Sequence, residues 1–159
     1  MKKLISALAL LAACHSSPPP ASGPTSRSTS SAATNATGAL DARGAVLAFL
    51  SAVRDQDLQR ISAVWGTKDG SVRDIGMARQ ELERRELVML CYLRHDRAKV
   101  VSDAPAPDNH RVFAVEITRG GLTRSTNFTV VQGPQGHWFV ENVDIEPLQE
   151  LVRRDRCQH

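Results

Sequence analysis

Four residues near the end of the chain hold the chemistry a pocket needs: Trp138, Val140, Asn142 and Asp144. Successive side chains of a strand alternate faces, so on a strand these four line one side, an aromatic wall beside an amide and a carboxylate. A carboxylate partly withdrawn from water there has a raised pKa and can serve as a base. The opposite parity, Phe139, Val143 and Ile145, is more apolar except at Glu141; if that side is the core, Asp144 is a solvated surface residue. A second candidate is His95-Asp96, at a helix-to-strand junction, where the carboxylate can orient and charge the imidazole for acid-base work. The alternative is that His95 complements a helix C-terminus while Asp96 pairs with Arg94 or Arg97.

The stretch from Trp65 to Asp74 combines an aromatic, two glycines and both charge signs, the makings of a mobile lip over a ligand or of a plain connection. It has neither the glycine spacing of a phosphate loop nor the acidic density of a calcium loop. Among His95, His110, His137 and His159 no two fall three or four residues apart, and His95, four residues after Cys91, has no further histidine or cysteine near it in sequence, so no metal site and no cofactor is expected. No Gly-x-Ser-x-Gly elbow is present. Glu116 is placed to answer Arg124 across a strand pair. The formal net charge of +3 over 159 residues is misleading, because from Asp41 onward 17 basic residues face 17 acidic ones. A balanced domain lacks the basic footprint of nucleic-acid binding, which is not expected.

These candidates need a scaffold, and the hydrophobic pattern supplies one. Asp41 can cap a helix whose Val46, Leu47, Phe49, Leu50 and Val53 share a face, and Asp57 to Trp65 continues as a short second helix ended by Gly66. Asp74 can cap a longer third helix running to Leu93, whose segment from Leu87 onward is apolar almost all round and is expected to be buried on most sides. After His95 the period becomes two. Strands are expected at 97–102, 111–118, 122–131 and 137–145, with a loop through Pro105 and Pro107, a tight hairpin at Gly120-Gly121 and a turn at 133–136. Phe113, Val115 and Ile117 mark a core face, and a turn of helix closes the chain at 147–153.

The start of the chain is of a different kind. Lys2-Lys3, an apolar run from Leu4 to Ala13 and then Leu11-Ala12-Ala13-Cys14 read as a bacterial lipoprotein signal, too short to span a bilayer. Cleavage after residue 13 makes Cys14 the lipidated first residue, so the membrane is a partner through lipid on Cys14. Residues 14–40, with Pro18-Pro19-Pro20 and almost no large apolar side chain, form a Ser/Thr/Pro/Ala linker that cannot repay the entropy of folding. Its reach is roughly 25–30 Å. Residues 41–159 remain as a single α+β domain. With Cys14 lipidated, Cys91 and Cys157 are a possible disulfide, stabilising by roughly 4 kcal/mol in the chain-entropy model. Otherwise Cys91 is a small buried apolar residue and Cys157 a free thiol.

Helices followed by an antiparallel meander, with residues 45–58 (AVLAFLSAVRDQDL) and Gly136-His137-Trp138-Phe139-Val140 as the carrying segments, resemble the nuclear-transport-factor-2-like superfamily, the cone shared with ketosteroid isomerases and polyketide cyclases. That resemblance covers about 41–145. It implies N-terminal helices packed on a curved four-stranded antiparallel sheet that bends around a pocket, and a habit of dimerising through the sheet. The family's enzymes use an Asp or Asp-His base, but no motif transfers those roles residue by residue. The chain also resembles Gram-negative envelope lipoproteins, and His15 in place of aspartate after the anchoring cysteine implies outer-membrane sorting. The expected work is therefore binding, of a small apolar ligand at Trp65, Trp138, Asn142 and Asp144, or of an envelope protein on a sheet face around Arg124, Thr126 and Asn127. A small isomerase or hydratase using Asp144 or His95 is the alternative.

Overall fold

A computed structural model describes residues 37–153. The leader, Cys14 and Cys157 lie outside the described residues, as do most of the linker positions. Two helices, α1 (Ala42–Asp55) and α2 (Leu58–Val64), lead through a minimal hairpin, β1 (Gly66–Thr67) and β2 (Gly70–Ser71), into α3 (Arg79–Leu93). Four antiparallel strands follow in chain order: β3 (Arg97–Ala106), β4 (His110–Arg119), β5 (Leu122–Gln132) and β6 (Trp138–Val143). A 3-10 turn at Glu146–Leu148 runs into α4 (Gln149–Arg153). This is an α+β fold with helices on one face of a four-stranded antiparallel sheet.

Asp41 caps α1 as the sequence predicts, and Asp57, expected as the first residue of the second helix, is its cap. Asp41 accepts from the Gly44 N–H at 2.7 Å and Asp57 from the Arg60 N–H at 3.0 Å, each satisfying a donor that the helix leaves free. Between them Gln56 takes the left-handed conformation, φ 55°, which stops α1. From α1, Val46, Phe49, Leu50 and Val53 enter the core with Ala42, Ala45 and Ala52. Leu47, expected on that face, lies about a quarter turn off the stripe and is half exposed. Phe49 meets Phe128 of β5 edge to face, centroids 6.1 Å apart. Phe113, Val115 and Ile117 share that buried face as the alternation predicts, joined by Val130, Val140 and Val143.

Four expectations change. The sequence places residues 38 and 39 in the linker, yet Gly38 donates to Ala63 O and Ala39 exchanges backbone bonds with Trp138. Asp74 does not cap α3: its carboxylate accepts from the Ser71 hydroxyl at 2.7 Å, Gly76 at φ 82° breaks the helical path, and α3 begins at Arg79. The segment Ala104-Pro105-Ala106 is strand, not loop. It can be, because β3 is the outer strand and Pro105, lacking an N–H, needs no neighbour on its free side.

The apolar run of α3 is the largest departure. Only Leu93 in it is buried; Leu87 is 48% exposed and Val88 to Tyr92 are half-buried. The inward stripe is Leu82, Glu86, Met89 and Leu93, at helical spacing, and it places a carboxylate at its centre. At the far end of the helix Arg119 of β4 donates to the Cys91 carbonyl at 2.9 Å, pinning the last turn of α3 to the sheet. Cys91 itself is disulfide-bonded, to a partner outside the described residues.

Candidate functional site

The strand parity that grouped Trp138, Val140, Asn142 and Asp144 does not survive to the end of β6. Val140 pairs with Val130 and Asn142 with Thr129, so Glu141 is an extra residue, a β-bulge. Beyond it inside and outside exchange: Val140 and Val143, three apart, both face the core, while Asn142 turns outward. Trp138 is half-buried at the other end of the strand, where Ala39 bridges it. Asp144 is exposed, and its carboxylate accepts from the Glu146 N–H two residues on at 3.2 Å.

Two of the four predicted ligand-binding residues, Trp65 and Asn142, do come together. They line a groove of about 440 Å³ between α3 and the free edge of β6, with Val88, Met89, Val143 and Ile145 as its apolar surface and Glu81, Arg84 and Arg85 at its mouth. Trp65 is only 8% exposed, because α2 ends on it and its backbone bridges Val140 of β6. That fixes the indole as a wall. β6 is the last strand of the sheet; its first half is covered by Ala39 and Trp65, and its last residues border the groove.

The mouth is charged unevenly. Arg84 donates to Glu81 Oε2 through Nη2 at 2.7 Å and Nε at 3.1 Å, and Arg85 Nε donates to Oε1 at 2.6 Å. Two guanidiniums share one carboxylate, which leaves a unit of positive charge. Arg85, then Arg84, hold the Glu81 pKa below the usual carboxylate range. All three lie toward solvent, so the pairing contributes little to stability.

His95 and Asp96 belong to another place. His95 Nδ1 lies 2.8 Å from Leu93 O, and Asp96 accepts from the Gly120 N–H at 2.8 Å, tying down the β4–β5 hairpin. Both line a surface pocket of about 300 Å³ between α1 and the start of β3, sharing no residue with the groove. Glu116 does not answer Arg124 either. Glu116 stands opposite Ser125, while Arg124 projects to the helical side and pairs with Glu150 of α4. Thr126 is buried on that same side and Asn127 faces the other, so these three do not form one surface. The Trp65–Asp74 stretch is the β1–β2 hairpin with its turns. The ring of Phe139 seats it so closely that a Cβ at Gly66 would come within 2.9 Å and one at Gly133 within 2.8 Å.

Two titratable sites escaped the linear reading. Glu86 is 2% exposed, its Oε1 has no hydrogen-bond partner, and burial raises its pKa to about 7 against the opposing bond from Ser62. The only signal was negative: a helical stripe of Leu82, Met89 and Leu93 that runs through it. The other is His110, whose Nε2 lies 2.7 Å from Glu141 and whose Nδ1 lies 2.9 Å from Pro107 O. Burial works against the charged imidazole, but the Glu141 carboxylate and the Pro107 carbonyl outweigh it and raise the pKa. The bulge aims Glu141 across β5 toward His110, and nothing local in sequence announces a bulge. With both ring nitrogens engaged, this histidine is a strut between strands and has no lone pair to offer as a base.

Among the described residues no three His, Cys, Asp or Glu side chains gather to hold a metal ion, and no helix is long and apolar enough to cross a membrane. No protein-family model matches the chain, and no curated protein matches it.

Proposed function

We propose that this chain is a lipid-anchored envelope lipoprotein whose folded part is a cone-like, nuclear-transport-factor-2-like module that binds a small apolar ligand without transforming it. The carrying observation is the groove between α3 and the edge of β6, its wall a fixed indole and its lining Val88, Met89, Val143 and Ile145. A volume of about 440 Å³ lies within the range of small-molecule sites, as does the mix of many apolar groups with few polar ones. Helices first and an antiparallel meander after them support the cone. A non-catalytic reading is favoured because the candidate base Asp144 is exposed and turned to the Glu146 N–H and His95 lies in a separate pocket, so no acid-base pair of these two converges on the groove.

Cys14, with the positively charged start and apolar run before it, carries the anchoring half of the proposal and its outer-membrane, periplasm-facing placement. Cys14→Ser is expected to move the protein from the membrane to the soluble fraction; continued sedimentation with membranes refutes the anchor. With Cys14 in thioether linkage, Cys157 is the one cysteine left to be the disulfide partner of Cys91. Ligand binding is tested by titrating dodecanol into a Trp138→Phe background, where fluorescence reports Trp65 alone. A saturable change that Met89→Asp abolishes supports the groove, and no change refutes it.

The face of the sheet turned away from the helices gives a second reading, a homodimer or an envelope partner. Val112, Ala114 and Thr118 of β4 with Asn127 and Thr129 of β5 lie there, half-buried or exposed and small. Ala114→Arg is expected to leave the fold intact and to dissociate any dimer seen by light scattering.

A further inference from the structure

The groove has a polarity as well as a shape, and this deepens the ligand-binding reading on which it rests. At its mouth two guanidiniums converge on a single carboxylate, with Arg84 spending two donors and Arg85 one on Glu81. Arginine presents five donors, so Arg85 keeps both terminal nitrogens for another acceptor. Asn142 borders the same lining where β6 passes it, its side chain on the outer face. Behind this polar mouth every other lining residue is apolar: Trp65, Val88, Met89, Val143 and Ile145.

We infer that the ligand class is a free, single-chain anionic amphiphile, an alkyl carboxylate whose chain lies on Trp65, Met89 and Ile145 and whose head is held by Arg85 and Arg84. Charge complementarity selects this occupant. A cationic head would meet an unbalanced positive charge, and a neutral head would leave the spare guanidinium donors to water. A planar guanidinium fork matches a carboxylate with two parallel hydrogen bonds. The volume suits one alkyl chain and excludes a two-chain lipid resting with both tails inside.

The full chain carrying Trp138→Phe is titrated with dodecanoate, dodecanol and dodecyltrimethylammonium, with Trp65 fluorescence as the readout. Dodecanoate is expected to bind about five- to tenfold more tightly than dodecanol, the margin of a charge-assisted hydrogen bond at a wet rim, and the cation more weakly than either. Raising salt is expected to shrink the margin and leave dodecanol unaffected. Arg85→Gln should remove most of the preference. Glu81→Gln should enlarge it, because it frees both arginines, and this opposite sign separates recognition from damage to α3. Equal affinity for the three probes, or no response to either substitution, overturns the inference while leaving the groove in place. Failure of all three to bind overturns the groove as well. Binding of the Cys14→Ser protein to anionic vesicles without binding of dodecanoate assigns the arginines to a membrane surface and also refutes the inference.

Discussion

Replacing Glu86 by glutamine should make the domain more stable at alkaline pH and leave it little changed in acid. Glu86 sits 2% exposed at the centre of the inward stripe of α3, and burial raises its pKa from 4.5 to about 7. A carboxyl whose folded pKa lies above its unfolded one binds its proton more tightly when folded. Its contribution is therefore fully present below about pH 4.5 and is lost as pH rises through about 7. Across that window the loss is about 3 kcal/mol, an upper figure for a group that can draw in water when ionised. The local hydrogen bonds agree. The Ser62 hydroxyl has one proton and already offers it to Gln59 O at 3.1 Å; a protonated Glu86 can donate to the Ser62 oxygen, whereas an ionised one must take that proton and still has a bare Oε1. Urea unfolding of wild type and Glu86→Gln at pH 5, 6, 7 and 8 checks this, since all other titrations cancel in the difference. The variant should gain steadily on wild type from pH 5 to 8, ending ahead by a few kcal/mol, roughly 10 °C in Tm for a domain of this size. A difference that does not change with pH refutes the buried, proton-holding Glu86.

Three further outcomes follow from the packing. Phe49→Ala removes a fully buried ring and its edge-to-face contact with Phe128, and should cost about 3–5 kcal/mol in denaturant unfolding. Gly66→Ala drives a methyl group into the Gly70 carbonyl and the Phe139 ring, so it should cost more than Gly76→Ala, where the added carbon meets nothing and only the positive φ is strained, at about 1–2 kcal/mol. Equal Tm losses would show that the Phe139 seat is not tight. Glu141→Gln should lower the His110 pKa, read by the pH dependence of its ring proton shifts. Because that pKa is raised in the fold, the stability it adds is complete below the ordinary histidine range and disappears as pH climbs past the raised value. An unmoved titration would show that Glu141 is not its partner.

What the sequence made legible was local. Asp41, before an apolar periodic segment, became the cap of α1, and Gly120-Gly121 became the β4–β5 turn because both residues hold positive φ, 55° and 79°, at no steric cost. The alternation of Phe113, Val115 and Ile117 identified the core face of β4. Where tertiary partners decide, the reading failed. Pro105 reads as a breaker until β3 is known to be an edge. Trp65 was found as an aromatic beside a glycine, but Val88, Met89, Arg84 and Arg85 joined it only through the placement of α3. Extrapolating one parity from Trp138 to Asp144 was sound for a regular strand, and a single extra residue at Glu141 carried Asn142 and Asp144 to the other side.

The failures concentrate on α3, and their physical pattern connects to the groove. Leu82, Met89 and Leu93 set the inward stripe at helical spacing and carry Glu86 in with them, while Leu87 beside it is left half exposed; turning α3 by one residue to bury Leu87 would bring Glu83 and Arg94 inward in their place. Rotating α3 to bury Leu87 would swing Arg85 and Met89 away from Trp65 and Ile145, dismantling the mouth and one wall of the groove together. That rotation is resisted by the packing of Leu82, Met89 and Leu93 and, at the C-terminal end of the helix, by Arg119 of β4 gripping the Cys91 carbonyl. The unfavourable burial of Glu86 and the apolar lining of the groove are thus two consequences of one orientation of α3, set by its Leu82–Met89–Leu93 stripe and tied to the sheet by Arg119.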